Sequence, residues 1–123
     1  MKTVLVVEDG HTEQMLISSL LSRSGFDVVL HGTAEDAWQW LSLSSHTPPN
    51  LIVLDVIMPG QSGLDLCRSI REDPKLGSIP IVFCSSKSQE FDKFWALRQG
   101  GNAYITKPFA PKQLIDTVYQ FIN

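Results

Sequence analysis

The sequence predicts an α/β protein in which one parallel β-sheet is covered by helices on both faces, and three observations carry that prediction. Short apolar runs recur at 4–7, 28–30, 51–54, 81–84 and 103–106. Longer segments with apolar residues at helical spacing separate them and follow the last. The runs are apolar at nearly every position instead of at alternate ones, which is the pattern of strands buried on both faces of a parallel sheet. Right-handed crossovers then leave few topologies.

Each element can be justified in order. The first strand, 4–7, runs directly into Glu8 and Asp9. A helix is predicted over 12–24, with Met15, Ile17, Leu20 and Leu21 as its apolar residues and Gly25 just past its end. The second strand, 28–30, is followed by a helix over 34–43 with Thr33 as N-cap. Pro48 and Pro49 make 44–50 a loop. The third strand, 51–54, ends at Asp55, and Pro59-Gly60 marks a turn. Ser62 caps a helix to about 72, which Pro74 stops. The fourth strand, 81–84, precedes a helix over 89–99 closed by Gly100-Gly101. The fifth strand, 103–106, is broken by Lys107-Pro108, and Pro111 suits the first position of a last helix to 121.

A chain of 123 residues fits one domain, taken as 1–123. At 43% hydrophobic and 19% charged residues, it can bury a core without disulfides or a structural metal. The formal net charge of −3 argues against nucleic acid or an anionic membrane as partner. Cys67 and Cys84 stand in no metal-ligand spacing and read as buried, reduced thiols of a cytoplasmic protein. Only four apolar residues precede Glu8, too few for a signal-peptide core, and nothing later could span a bilayer. Of His11, His31 and His46, none has ligand spacing, and only His11 follows the acidic pair closely enough to line a pocket beside it.

In an open parallel sheet, ligand chemistry sits beyond the carboxyl ends of the strands. There the first strand supplies Glu8 and Asp9, the third Asp55, the fourth Ser85 and Ser86, and the fifth Lys107. Singly, each has an ordinary reading as a capping, loop or solubilising residue. Together, each at the same end of its own strand, they point to one site. Neighbouring carboxylates repel unless a cation lies between them. Oxygen donors without thiol or imidazole favour Mg²⁺, which keeps several waters and shares its shell with phosphate. Lys107 offers a point positive charge and Ser85 a hydroxyl. Asp55 is the natural nucleophile, since a carboxylate can form an acyl phosphate, with the transferring group's charge offset by the metal and Lys107.

The Glu8-Asp9 end of the first strand, Leu54-Asp55 with Met58-Pro59-Gly60, the Ser85-Ser86 pair and Lys107-Pro108-Phe109 together resemble the response-regulator receiver domain, in order and spacing over essentially the whole chain. The resemblance implies a flavodoxin-like (βα)5 fold with strand order 2-1-3-4-5. It implies that Asp55 accepts a phosphoryl group from a histidine kinase. Mg²⁺ would be bound by Asp9, Asp55 and the Ile57 backbone carbonyl, and by Glu8 through water. Lys107 would bond the phosphoryl group, with its peptide bond to Pro108 cis. Ser85 would follow the phosphoryl group inward and Tyr104 would turn in behind it, reshaping the face built from the fourth helix, fifth strand and fifth helix for a protein target. The segment 89–95 with Arg98-Gln99-Gly100 is similar to regulators of type IV pilus twitching motility and of cyanobacterial phototaxis, whose kinases are of the chemotaxis type. The chain ends at 123 straight after the last helix, so output is expected through docking to another protein and not through an attached domain.

Some positions depart from the family pattern. Glu8 stands where Asp is commoner and Ser85 where Thr is. Ile57 and Lys87, each two residues beyond a site residue, offer no carboxylate or amide to orient an attacking water, so slow loss of phosphate is expected. Ile57 also counts against a haloacid-dehalogenase-type phosphotransferase, which wants a second acid there. Glu8-Asp9 would repel the phosphate of a flavin and so counts against a flavodoxin. The alternative function is an unphosphorylated docking module. Tyr104 has an equally ordinary reading as half-buried packing. Phe91, Phe94, Trp95 and Leu97 span an arc of about 160° at helical spacing. Most of that arc is expected in the core, with Trp95 either a partner surface or an edge of the core. Of Trp38 and Trp40, one is expected buried and the other exposed.

Overall fold

The computed structural model describes residues 2–43 and 45–122; Ser44, at the start of the expected loop, and the terminal Met1 and Asn123 lie outside the described residues. Five strands alternate with five helices: β1 Thr3–Val7, α1 His11–Arg23, β2 Asp27–His31, α2 Ala34–Ser42, β3 Leu51–Leu54, α3 Gly63–Glu72, β4 Ile81–Ser85, α4 Glu90–Arg98, β5 Ala103–Thr106 and α5 Pro111–Phe121. The strands form one sheet in the order β2-β1-β3-β4-β5, and every pairing is parallel. No helix among the described residues is long and apolar enough to cross a membrane.

Strand alternation divides the core in two. Leu5, Val7, Ile52, Leu54, Ile81 and Phe83 face α2, α3 and Ala96 of α4. Val4, Val6, Leu51, Val53, Val82, Cys84 and Ile105 face α1 and α5. The result is three layers. β1, β3 and β4 are buried at almost every position, as their sequences predict, whereas β2 and β5 are half-exposed because they form the sheet's edges. Both cysteines are buried and free.

Local signals set the helix ends. Thr33 and Ser62 each accept a hydrogen bond from the backbone N–H three residues on, at 3.0 and 3.2 Å. Gly25 takes φ +93° just after α1, a conformation open to glycine. Pro111 opens α5. α1, α2 and α4 differ from the predicted spans by a residue at one or both ends, the ordinary scatter of helix termini.

Two packing expectations are corrected. Trp38 and Trp40 are both half-buried, packed against the α2–α3 side of the core. The ring of His46, from the loop after α2, stacks on Trp40 at 4.2 Å between centroids and covers the flank that periodicity would leave exposed. In α4 the expected core residues face solvent: Phe91 is 63% exposed, Phe94 54%, Trp95 51% and Leu97 47%, while Ala96 is the residue buried. Spacing fixes that these side chains share one side of the helix but not which way that side points. The reason lies beneath the helix. The Phe83 ring fills the space below the end of α4, close enough that a Cβ at Gly101 would come within 2.7 Å of it. On α4 itself the residue that joins Phe83 in this cluster is Ala96.

The C-terminal end of α4 is tied to α3. Arg71 donates to the Gly100 carbonyl at 2.7 and 2.9 Å, to those of Gly77 and Ile79 at 3.0 and 2.6 Å, and to Asn102 Oδ1 at 2.9 Å.

Candidate functional site

The carboxyl ends of β1, β3 and β5 bring Glu8, Asp9, Asp55 and Lys107 to one edge of the sheet. Glu8 and Asp55 are buried polar groups in a protein whose buried residues are otherwise almost all apolar. Such groups need partners. Lys107 Nζ lies 2.5 Å from Glu8 Oε1 and 3.1 Å from Asp55 Oδ2. The remaining oxygens are met by the backbone. Glu8 Oε2 accepts from Gly10 N at 3.0 Å, and Asp55 Oδ1 accepts from Val56 N at 2.7 Å and Ile57 N at 3.4 Å. The peptide bond between Lys107 and Pro108 is cis.

Asp55 owes its position to two neighbours. Its N–H donates to Val7 across the sheet at 3.1 Å. Behind it, α3 approaches so closely that any Cβ at Gly63 would overlap the Asp55 carbonyl oxygen. Gly63 N donates to Val56 at 2.9 Å, which fixes the loop that carries Asp55.

Burial pushes the Glu8 carboxyl above its ordinary range, against the opposing bonds from Lys107 and Gly10. For Lys107, burial alone would favour the neutral amine. Its pairing with Glu8 and Asp55 outweighs that and holds the ammonium above its usual range. The site is therefore short of positive charge: one ammonium faces two buried carboxylates, and Asp9 stands beside them. One oxygen from each of Glu8, Asp9 and Asp55 lies within 4.8 Å of the others. Three hard oxygen donors at that separation, two of them buried, fit a small divalent cation.

These groups line a cleft of about 590 Å³, shared with Gly10, Thr12, Glu13, Leu16, Ser86, Pro108 and Phe109. Ser86 lines it, and Ser85 does not. Ser85 is fully buried at the end of β4, where its Oγ accepts from Lys87 N at 3.2 Å. Tyr104 stands apart, half-buried on β5, and donates its hydroxyl to the Lys87 carbonyl at 2.7 Å. The backbone of Lys87 thus links Ser85 to Tyr104 just before α4. The Ile57 side chain is 53% exposed. His11 is exposed and does not line the cleft. The α1 residues that do are Thr12, Glu13 and Leu16, spaced so that the first two turns of the helix present them to one side. That spacing, directly after Asp9, was the signal that could have identified them.

Comparison with known proteins bears on this arrangement. The family model described as "Response regulator receiver domain" matches residues 4–119. Protein PilH of Pseudomonas aeruginosa is 31% identical over 118 residues, covering 96% of this chain and 95% of that protein. The chain spans about half the length of several other curated relatives. Among solved structures, a response regulator from Chloroflexus aurantiacus superposes with a TM-score of 0.91 at 28% identity, covering 98% of this chain and 96% of that one. The receiver domain of a Pseudomonas aeruginosa sensor histidine kinase, solved with magnesium coordinated in its active-site cleft, superposes with a TM-score of 0.88 at 25% identity, covering 98% and 97%.

Proposed function

The chain belongs to the response-regulator receiver family of two-component phosphorelays, and from that premise we propose that Asp55 is its phosphoacceptor, charged by a histidine kinase of the chemotaxis type. The observation that carries this reading is the double pairing of Lys107 with Glu8 and Asp55, with Asp9 in the same cleft. It is a site built around charge that its own cation does not balance.

The residues divide the work by position. Asp55 Oδ1 is held by two backbone N–H groups, which fix the carboxylate plane, while Oδ2 faces Lys107. Oδ2 attacks phosphorus as the N–P bond of the donor phosphohistidine breaks. The electron pair returns to the imidazole nitrogen, which takes a proton from solvent. Lys107 then moves from the carboxylates to a phosphoryl oxygen. Asp9, Asp55 and the Ile57 carbonyl would hold Mg²⁺, with Glu8 reaching it through water. When bound, the ion supplies charge stabilisation for the transferring group. Self-catalysed gain and loss of phosphate is the chemistry proposed, without turnover of a small-molecule substrate.

Output follows from the link beyond β4. Phosphoryl oxygens at Asp55 would draw the Ser85 hydroxyl and release Lys87 N, and the Lys87 carbonyl holds Tyr104. Tyr104 would swing inward and the N-terminal end of α4 shift, while Arg71 anchors its other end. The exposed Phe91, Phe94 and Trp95 of that helix support a protein target on the α4-β5-α5 face. The resemblance of 89–95 to pilus and phototaxis regulators supports a role in type IV pilus motility or phototaxis.

Mg²⁺-dependent labelling by acetyl phosphate or a phosphorylated kinase, read by intact mass, tests the reading. One phosphoryl group per wild-type chain and none on Asp55→Asn is expected. Equal labelling of both proteins would reject it.

A further inference from the structure

The first turn of α1 sets one more carboxylate at the mouth of the same cleft, that of Glu13. Gly10 is the N-cap of α1 and Glu13 is its third helical residue. An acid at that position ordinarily reaches back to take the N-cap N–H. Here Gly10 N already donates to Glu8 Oε2 at 3.0 Å. Glu13 still folds back over Gly10: a Cβ at residue 10 would overlap Glu13 Oε1, lie 2.9 Å from its Cδ and stand 3.2 Å from Glu8 Oε2. Glycine at position 10 leaves room for both carboxylates above the same backbone atom. No ion pair to Glu13 occurs among the described residues. The cleft therefore has four acids, Glu8, Asp9, Glu13 and Asp55, against one cation, Lys107. A divalent ion among the inner three leaves the charge of Glu13 standing at the entrance.

We infer that Glu13 determines phosphodonor specificity, turning away small doubly negative donors such as acyl phosphates while leaving transfer from a protein-borne phosphohistidine. This rests on the reading of Asp55 as phosphoacceptor. A small donor approaches with little but its charge. Met15 and Leu16 are 57% and 46% exposed on the same helix, apolar surface that a donor protein could bury and so offset the repulsion. In the reaction with acetyl phosphate, an Asp55 carboxylate oxygen forms the new bond to phosphorus. The phosphorus–oxygen bond to the acetyl group breaks, and acetate leaves with the electron pair.

The test is the labelling rate of the full chain by acetyl phosphate at saturating Mg²⁺, for wild type, Glu13→Gln and Asp55→Asn. For an illustrative separation of about 7 Å in a water-like medium, partly screened, the repulsion between a unit charge and a dianion corresponds to a rate change of about three- to eight-fold. Glu13→Gln is expected to label faster by that factor at low salt. The gain should shrink as salt is raised, and be smaller for phosphoramidate, which carries one negative charge less. Equal rates, or a gain indifferent to salt, would overturn the inference and leave Asp55 as acceptor untouched. Absence of labelling in wild type and Glu13→Gln alike, by acetyl phosphate and by a phosphorylated kinase, would remove the phosphoacceptor reading and this inference with it.

Discussion

Replacing Lys107 by Met removes the ammonium but keeps most of the apolar stem, so it isolates the charge. In the wild type the Lys107, Glu8 and Asp55 side chains are 14%, 4% and 10% exposed, and Nζ sits 2.5 and 3.1 Å from the two carboxylates. Removing one partner of a buried pair costs roughly 3–5 kcal/mol, because the other charge is left uncompensated. The cleft admits water, which discounts the cost to about 2–4 kcal/mol. For a domain of this size that lowers Tm by about 10–15 °C. The pH dependence follows from Glu8, whose carboxyl burial holds above its ordinary range. A raised folded pKa means that ionising Glu8 costs stability as pH rises through that value. The penalty therefore grows as pH rises through that raised value and is absent below the ordinary carboxylate range, roughly 4–5. Mg²⁺ and the ammonium compete for the same negative charge, so Mg²⁺ should raise the Tm of Lys107→Met more than that of wild type. Differential scanning calorimetry with and without Mg²⁺ measures all three. Equal stability of the two proteins in metal-free neutral buffer, or a Mg²⁺ shift no larger in the variant, would refute the reasoning.

Three further outcomes are expected. Ile57→Asn should speed loss of the acyl phosphate, since the exposed Ile57 offers an attacking water no hydrogen bond; decay of the phosphorylated form by intact mass decides it, and unchanged or slower decay counts against the idea. Phe94→Ala and Trp95→Ala should each change stability by less than about 1 kcal/mol, whereas Ala96→Leu, forced against Phe83, should cost about 1–3 kcal/mol in urea titration; the opposite ranking would mean α4 packs the other way round. Burial pushes the Cys84 thiol up to about 12, so it should resist alkylation at mildly alkaline pH until the chain unfolds; modification of the native protein at the rate of a free thiol would contradict the packing of β4.

How much of this was legible in the sequence depended on which physical signal each feature leaves. The central strands β1, β3 and β4 were plain because burial on both faces makes every position apolar. The inner carboxylates were plain because they stand at the ends of such runs, and Lys107 because it ends the fifth apolar run just before Pro108. Edge strands leave a weaker signal, since β2 and β5 touch the core on both faces of the sheet but are only partly buried. The direction of α4 was not legible, because Phe91, Phe94, Trp95 and Leu97 show the same spacing whether they face a core or a partner. What decides it is the Phe83 ring on another strand. Trp40 escaped for a similar reason: its cover, His46, comes from a loop that periodicity does not describe. Glu13 was missed because a first-turn acid ordinarily serves its own helix. Only the prior engagement of Gly10 N by Glu8 turns it to the cleft.

The central claim is that one aspartate in this cleft carries the phosphoryl group, and site mapping tests it most directly. An acyl phosphate on aspartate is reduced by borohydride to homoserine, which marks its position in a peptide. After exposure to a phosphodonor and Mg²⁺, the mark is expected in the peptide containing Asp55, and to be absent when Mg²⁺ is withheld. A mark at Asp9 or elsewhere, or no mark in a chain shown to be folded and metal-loaded, would contradict the account.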